Sequence, residues 1–336
     1  MEELAVVILN YNGRAFLEQF LPSVLAHSSG HAVYVADNAS TDDSVALLEK
    51  RFPEVRLIRL AQNEGYAGGY NRALAGVEAR YFLLLNSDVE VTANWLAPLL
   101  DLMRRHPGAA ACQPKIRSFH QKEQFEYAGA AGGYIDPLGY PFCRGRIFDT
   151  VEPDRGQYDD ERRIFWATGA CMLVRADVFR QLGGFEAAFF AHMEEIDLCW
   201  RLQNAGHEIW YCPRATVYHV GGGTLPKSNP RKTFLNFRNS LAMLYRNLPA
   251  GRVFPTIFGR LVLDGISGVQ FLVQGRWRET LAILQAHFAF YGWIINKTIT
   301  RPDPKPAPLP EQVYPQSIVW SYFVQAKKTF DQLKRS

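Results

Sequence analysis

Short apolar runs alternate with stretches of helical periodicity along the first hundred residues. Residues 4–10, 31–36, 55–60 and 81–85 are β-branched or continuously apolar, the pattern of strands buried on both faces. Between them, residues 15–26, 43–52 and 70–77 carry apolar positions at helical spacing. Strand–helix–strand alternation predicts a parallel sheet with right-handed crossovers, and such sheets bind ligands beyond the carboxyl ends of their strands. Further on the pattern is less regular. Hairpins are expected around 129–145, a strand over 166–175 entering a helix near 176–182, a helix over 194–204, and short strands at 207–212 and 215–219.

Each early strand runs into a polar loop. Asn10-Tyr11-Asn12-Gly13 comes after the first, and Asp37-Asn38-Ala39-Ser40-Thr41-Asp42 after the second. Asn63-Glu64-Gly65-Tyr66-Ala67-Gly68-Gly69, with Asn71, comes after the third, and Asn86-Ser87-Asp88-Val89-Glu90 after the fourth. One such loop is ordinary turn chemistry. Four on one sheet edge predict a polar ligand site.

Composition narrows the class. The chain has 336 residues, 48% hydrophobic and 21% charged, which excludes disorder, collagen or coiled coil as a description of the whole. Its net charge of +4 is unevenly spread: residues 1–224 balance at −7 (21 Lys and Arg, 28 Asp and Glu), residues 225–336 at +11 (16 and 5). The five cysteines lack CxxC spacing and the start is acidic, so reduced thiols, a cytosolic setting and an N-terminal first strand are expected.

Two acidic clusters carry candidate chemistry. Asp88 and Glu90 can hold a hard divalent cation, which in turn holds a diphosphate. Glu194, Glu195 and Asp197 open a predicted helix, where the macrodipole alone would favour them. Three acids behind the aromatic pair Phe189-Phe190 exceed what capping requires, and crowded like charges raise a carboxylate pKa into the range of a general base. His219 ends an apolar strand before Gly221-Gly222-Gly223-Thr224, glycines that allow close approach of a substrate or loop.

Taken in order, these motifs resemble the successive signatures of family 2 glycosyltransferases, nearest the bacterial rhamnosyltransferase-like branch. Trp166-x-x-Gly169-Ala170, Gly183-Gly184-Phe185, Glu194-Glu195-x-Asp197-Leu198-Cys199-x-Arg201 and His219 extend the likeness, which covers about residues 4–223. The resemblance implies an α/β GT-A fold with a Rossmann-like, mainly parallel sheet, and inverting transfer of a sugar from a nucleoside diphosphate donor. Carried over by position, Asn10, Tyr11, Asn12, Asp37, Asn38, Ser40, Asn63, Gly65, Asn71, Asn86, Ser87 and Asp88 would surround the donor nucleotide. Asp88, Glu90 and His219 would hold a divalent metal, Mg²⁺ or Mn²⁺. Glu195 would be the base, beside Glu194 and Asp197, and Trp166, Gly169 and Ala170 would meet the acceptor. Two departures stand out: Asn86-Ser87-Asp88 replaces a full Asp-x-Asp, and Glu195 stands where the family often has Asp.

Residues 225–300 read as a basic helical region. The longest uncharged run, 280–296, is 17 residues, just short of a membrane span. Within it Leu281, Leu284, Phe288, Tyr291 and Ile295 repeat at helical spacing. This region is expected to lie on an anionic membrane surface, or to pack as a bundle on the catalytic domain or in a homo-oligomer. Nucleic acid is not expected, because no binding motif accompanies the basic residues. Residues 301–315, with six prolines, read as a stiff linker, and 316–336 as a C-terminal amphipathic helix. The expected activity is transfer of a sugar, rhamnose from its dTDP-activated form as the single best candidate, to a polysaccharide or lipid-linked glycan at the inner face of the cytoplasmic membrane. The alternatives are a sugar nucleotidyltransferase, whose basic Gly-rich loop after the first strand is incomplete here, and an inactive scaffold homologue, against which the intact acids argue.

Overall fold

The computed structural model describes residues 2–221, 229–301 and 309–334. Strands β1 (Glu2–Asn10), β2 (Ala32–Asp37), β3 (Arg56–Arg59) and β4 (Ala79–Asn86) run parallel, separated by helices α1 (Arg14–His27), α2 (Ser44–Arg51) and α3 (Gly65–Leu74). Along β1, Leu4, Val6 and Ile8 enter the core beneath α1 and α2, while Ala5 and Val7 enter the core on the opposite face. A strand covered on both faces needs apolar residues at every position, which is why β1 reads as an unbroken run. Register sets Asn10 beside Asp37 and Leu9 beside Asn86, so the polar strand ends share one edge.

The sheet continues through β5 (Val89–Val91), α4 (Leu96–Arg105) and β6 (Ala109–Ser118). The chain then leaves it for a small antiparallel sheet of β7 (Gly133–Ile135), β8 (Pro141–Cys143), β9 (Arg146–Ile147) and β10 (Thr150–Val151). It returns as β11 (Arg162–Arg163), β12 (Cys171–Arg175), α5 (Ala176–Gln181), α6 (Glu194–Asn204) and β13 (Glu208–His219). The order is β11-β13-β6-β12-β4-β1-β2-β3, with β5 on β13. The two short strands expected at 207–212 and 215–219 are one strand, β13, whose register slips between Cys212 and Thr216. The glycine-rich stretch from Gly65 is already helix, so α3 starts five residues before the apolar periodicity does.

Behind this domain lie α7 (Pro230–Asn247), α8 (Ala250–Val273) and α9 (Trp277–Ile295). Residues 316–336 do not form one amphipathic helix. They hold two short ones, α10 (Ile318–Phe323) and α11 (Phe330–Lys334), with 335–336 outside the described residues. The proline-rich segment departs from expectation at its described end: Tyr314 N donates to Ile135 O at 2.8 Å and Val313 bridges Ile135. That end is tied to the small sheet, and residues 302–308 lie outside the described residues. All five cysteines are free and buried.

Candidate active site

The loops after β1, β2 and β3 are knitted together by their own amides. Asn10 Nδ2 donates to Asp37 Oδ1 and Ser40 Oγ, both at 3.2 Å, and Asn12 Oδ1 accepts from Thr41 N at 2.7 Å. Asn38 Nδ2 donates to Asn63 Oδ1 at 3.1 Å and to Gly65 O at 2.9 Å. Asn10, Asp37 and Asn38 are buried, while Tyr11 stands exposed at the rim. Asn10 Oδ1 has no hydrogen-bond partner inside the protein, leaving a buried acceptor at this edge. Asn71 is not brought to these loops. Its side-chain amide pairs with both backbone groups of Phe185, a structural clamp between α3 and the 183–185 turn.

At the end of β4, Asp88 Oδ1 lies 3.2 Å from His219 Nε2, and Asn86 Nδ2 lies 3.4 Å from the same nitrogen. Burial opposes charge on both partners, yet each holds the other ionised. Asp88 stays below the usual carboxylate range, and His219, between Glu126 and Asp88, is lifted to about 10. Glu90 does not join them. It sits on β5 and pairs with Lys122 at 2.5 Å. The second carboxylate is Glu126, whose Oε2 lies 3.3 Å from His219 Nδ1. Nothing local marks Glu126 in the sequence, because it reaches His219 from an irregular stretch about ninety residues upstream.

The second acidic cluster sits on an unusual loop. Phe190, His192 and Met193 all have positive φ (66°, 74° and 72°), a left-handed conformation costly for side chains of this size. Three sets of donors hold it. Tyr66 N and Ala67 N, unpaired at the start of α3, donate to Phe190 O at 2.6 and 3.2 Å. Only glycine permits this approach, since a Cβ at Gly65 would lie 2.4 Å from the Phe190 carbonyl oxygen. From α7, the buried Asn239 Nδ2 reaches the carbonyls of Phe189, Ala191 and His192 at 3.0, 3.0 and 2.8 Å. Arg238 adds a bond to Phe189 O at 3.2 Å.

The loop delivers Glu194 and Glu195 into the first turn of α6. Both have an Oε2 without a hydrogen-bond partner. Glu194 is buried and Glu195 partly open. Burial pushes Glu195 up to about 7, and burial together with the Glu195 charge pushes Glu194 well above the ordinary range. Glu195 is partly exposed as a residue, but its unengaged Oε2 is buried, and a carboxylate with a raised pKa and a free oxygen is suited to take a proton. Asp197 is not available for that work. It is fully buried, paired with Arg201 Nε at 2.8 Å and bonded to Asn247 Nδ2 at 2.8 Å, and so anchors α6 to α7.

The residues expected at the acceptor are mostly structural. Trp166 is buried against Gly133, with Nε1 donating to Tyr134 O at 2.9 Å, and presents no free face to a sugar. Gly169 O accepts from Tyr66 Oη at 2.7 Å, and Ala170 O from Asn86 N at 3.0 Å. These two join the end of β4 to the start of α3, beside both acidic clusters. Of the glycines after His219, 222 and 223 lie outside the described residues, as does Thr224.

The model of glycosyl transferase family 2 matches residues 5–183. The chain is 33% identical over 232 residues to the N-acetylglucosaminyl-diphospho-decaprenol L-rhamnosyltransferase of Mycobacterium tuberculosis, covering 64% of this chain and 75% of that protein. It is 25% identical over 227 residues to the rhamnosyltransferase WbbL of Escherichia coli, covering 64% and 82%. Among solved structures it resembles a mannosyltransferase from Pyrobaculum calidifontis in complex with GDP-Man and Mn²⁺, with TM-score 0.53 and 13% identity over 86% of this chain and 87% of that one. The chain belongs to glycosyl transferase family 2 and has its GT-A fold.

Proposed function

We propose that this family 2 glycosyltransferase moves a sugar, L-rhamnose from dTDP-rhamnose, onto a hydroxyl of a lipid-linked or polysaccharide glycan, with inversion, at the cytoplasmic face of the membrane. The observation that carries the reaction is Glu195, whose carboxylate has a raised pKa and an unengaged Oε2, beside a loop held by three separate sets of donors. Glu195 takes the proton of the acceptor hydroxyl as its oxygen attacks C1 of the sugar. The C1–O bond to the diphosphate breaks on the opposite face, and the nucleoside diphosphate leaves with the bonding pair. The polar loops after β1, β2 and β3 form the nucleotide side. The relatives' names support the sugar and the lipid-linked acceptor.

The residues at the end of β4 fit a divalent cation. Asp88 would offer an oxygen and His219, once a cation displaces its Nε2 proton, a nitrogen 3.2 Å away, with Glu126 3.3 Å from the far ring nitrogen. Among the described residues no group of three metal-ligating side chains occurs. That suits Mg²⁺ or Mn²⁺, which take one or two protein carboxylates and complete their shell with water and substrate phosphate. A cation held there by Asp88 and His219 would supply neutralisation of the charge on the departing diphosphate. Calorimetric titration with a panel of nucleoside diphosphates and nucleotide sugars, in Mn²⁺ or Mg²⁺ and then in EDTA, tests the reading. Metal-dependent binding of the deoxythymidine series supports it. Binding of another nucleotide series alone removes rhamnose, and no binding by a folded sample removes the donor site.

A further inference from the structure

Helix α8 is arranged inside out. Its buried positions are Arg260, Asp264 and Gly268, spaced by four. Its outward positions are Phe254, Phe258, Val262, Ile266, Val269 and Val273, every one more than half exposed. Helix α9 is apolar on both sides: its inner side buries Ala282, Ile283, Ala286 and Phe290, with Glu279 the one buried charge. Leu281, Leu284, Phe288, Tyr291 and Ile295, the row visible in the sequence, face outward, and Trp277 extends it. Polar groups nonetheless pair within and between the two helices: Asp264 meets Arg260 Nε at 3.4 Å and His287 Nε2 at 3.2 Å, and Thr280 Oγ1 donates to Gly268 O at 2.8 Å. A helix pair in water puts its charges outside and its aliphatic residues inside. The order along α8, with charges paired inside and an apolar row outside, is that of segments whose outer solvent is hydrocarbon.

We infer that the outward face of the α8–α9 hairpin is immersed in one leaflet of an anionic lipid bilayer. This deepens the proposed function by naming the surface that meets the lipid-linked acceptor's own solvent, and it rests on that reading. Charge supports lipid as the occupant. Residues 229–301 contain ten Lys and Arg but only two acids, Asp264 and Glu279, both buried and ion-paired. Arg252 precedes the α8 stripe, Arg278 lies at the turn into α9, and Lys297 comes just after α9, all exposed, so cations ring the apolar face where anionic headgroups would lie. Trp277 and Tyr291 supply the amphipathic aromatics favoured at that depth.

The geometry also distinguishes lying from crossing. By length and hydropathy α8 alone among the described helices could cross a membrane. Its midpoint is fastened to the catalytic domain, with Arg260 Nη1 donating to Leu138 O at 3.1 Å and Tyr140 Oη to Asp264 Oδ1 at 3.4 Å. A helix held at its centre by the β7–β8 turn lies in the plane of the interface with that domain on its wet side.

The test uses the full chain and vesicles of phosphatidylcholine with or without phosphatidylglycerol. Co-sedimentation with the anionic vesicles should persist in about 1 M NaCl, where headgroup attraction is screened, and lipids brominated on the acyl chain should quench tryptophan fluorescence, less so in Trp277→Phe. Ile266→Glu, on an exposed position, should lower vesicle affinity at least tenfold while nucleotide affinity stays unchanged. Full release of the wild type by salt, absence of quenching, or wild-type binding by Ile266→Glu would each overturn immersion. So would a dimer in lipid-free buffer that Ile266→Glu dissociates, since a second copy would then cover the face. Nucleotide binding measured on the same samples separates the two readings: vesicle binding without it sinks the enzymatic reading alone, and the converse sinks immersion alone.

Discussion

Leu99 on α4 and Ile266 on α8 are similar aliphatic residues on helices of one chain, and one is fully buried while the other is mostly exposed. In the sheet domain the apolar positions point inward and the charges outward. In the α8–α9 hairpin Arg260, Asp264 and Glu279 are buried and paired, beside apolar residues of α9, and a further apolar row points out. The same preference for removing apolar surface from water produces both arrangements when the outer medium differs. Helix α7 belongs to both regions. It packs on α9, and through Asn239 and Asn247 it holds the loop and helix that carry the acids. The loop and helix that carry the acids are therefore braced by a helix that also packs on the hairpin.

The contrast can be broken most severely at its buried end. Leu99→Glu places an unpaired carboxylate in a dry core and should cost about 4 kcal/mol or more, read as loss of the cooperative thermal transition. Glu195→Gln comes next. It should lower kcat by about 10³-fold with donor affinity within twofold, measured by turnover and calorimetry. Asn239→Ala tests the bridge between the regions. It leaves three carbonyls short of a donor and should lower kcat by roughly 10–100-fold. A merely structural role would not alter the pH profile, whereas release of the loop should solvate Glu195 and move its midpoint down toward the ordinary carboxylate value.

As the proposed base, Glu195 would have to be deprotonated to act, and burial raises its pKa to about 7. Turnover should therefore rise with pH through about 7, falling near tenfold per unit on the acid side. A profile flat from about pH 5 to 8 would remove Glu195 as the base. The smallest effect is expected at Ile266→Glu in lipid-free buffer, where stability should change by no more than about 0.5 kcal/mol. The same kind of substitution would then be ruinous in one region and silent in the other.

The parallel sheet was legible because its strands are apolar without interruption and end in Asn and Asp on one edge. Glu194 and Glu195 could be found because they are adjacent. The start of α3 could not, since Gly65, Gly68 and Gly69 argue against helix locally, and the N–H groups of Tyr66 and Ala67 find their partner in the distant Phe190 carbonyl. Glu126 and Asn239 had no signal at all. Each acts across a large sequence separation, and a single amide or carboxylate is silent until the chain folds. Asn71, Asp197 and Trp166 were singled out for the right neighbourhood, but their polar atoms are taken up by Phe185, Arg201 and Tyr134. Periodicity showed the apolar row of α9 without showing which side of it faces protein, because period carries no direction.

The three-carbonyl contact of Asn239 has a consequence for the order in which the molecule is made. Synthesis delivers the sheet, the nucleotide loops and both glutamates before the asparagine that braces them has been translated. A nascent chain ending before α7 holds the acids but lacks the amide that fixes their loop. On the reading proposed above, the loop beside Glu195 is braced only once α7 has been made, just ahead of the hairpin inferred to enter lipid, so that competence and membrane binding would mature together.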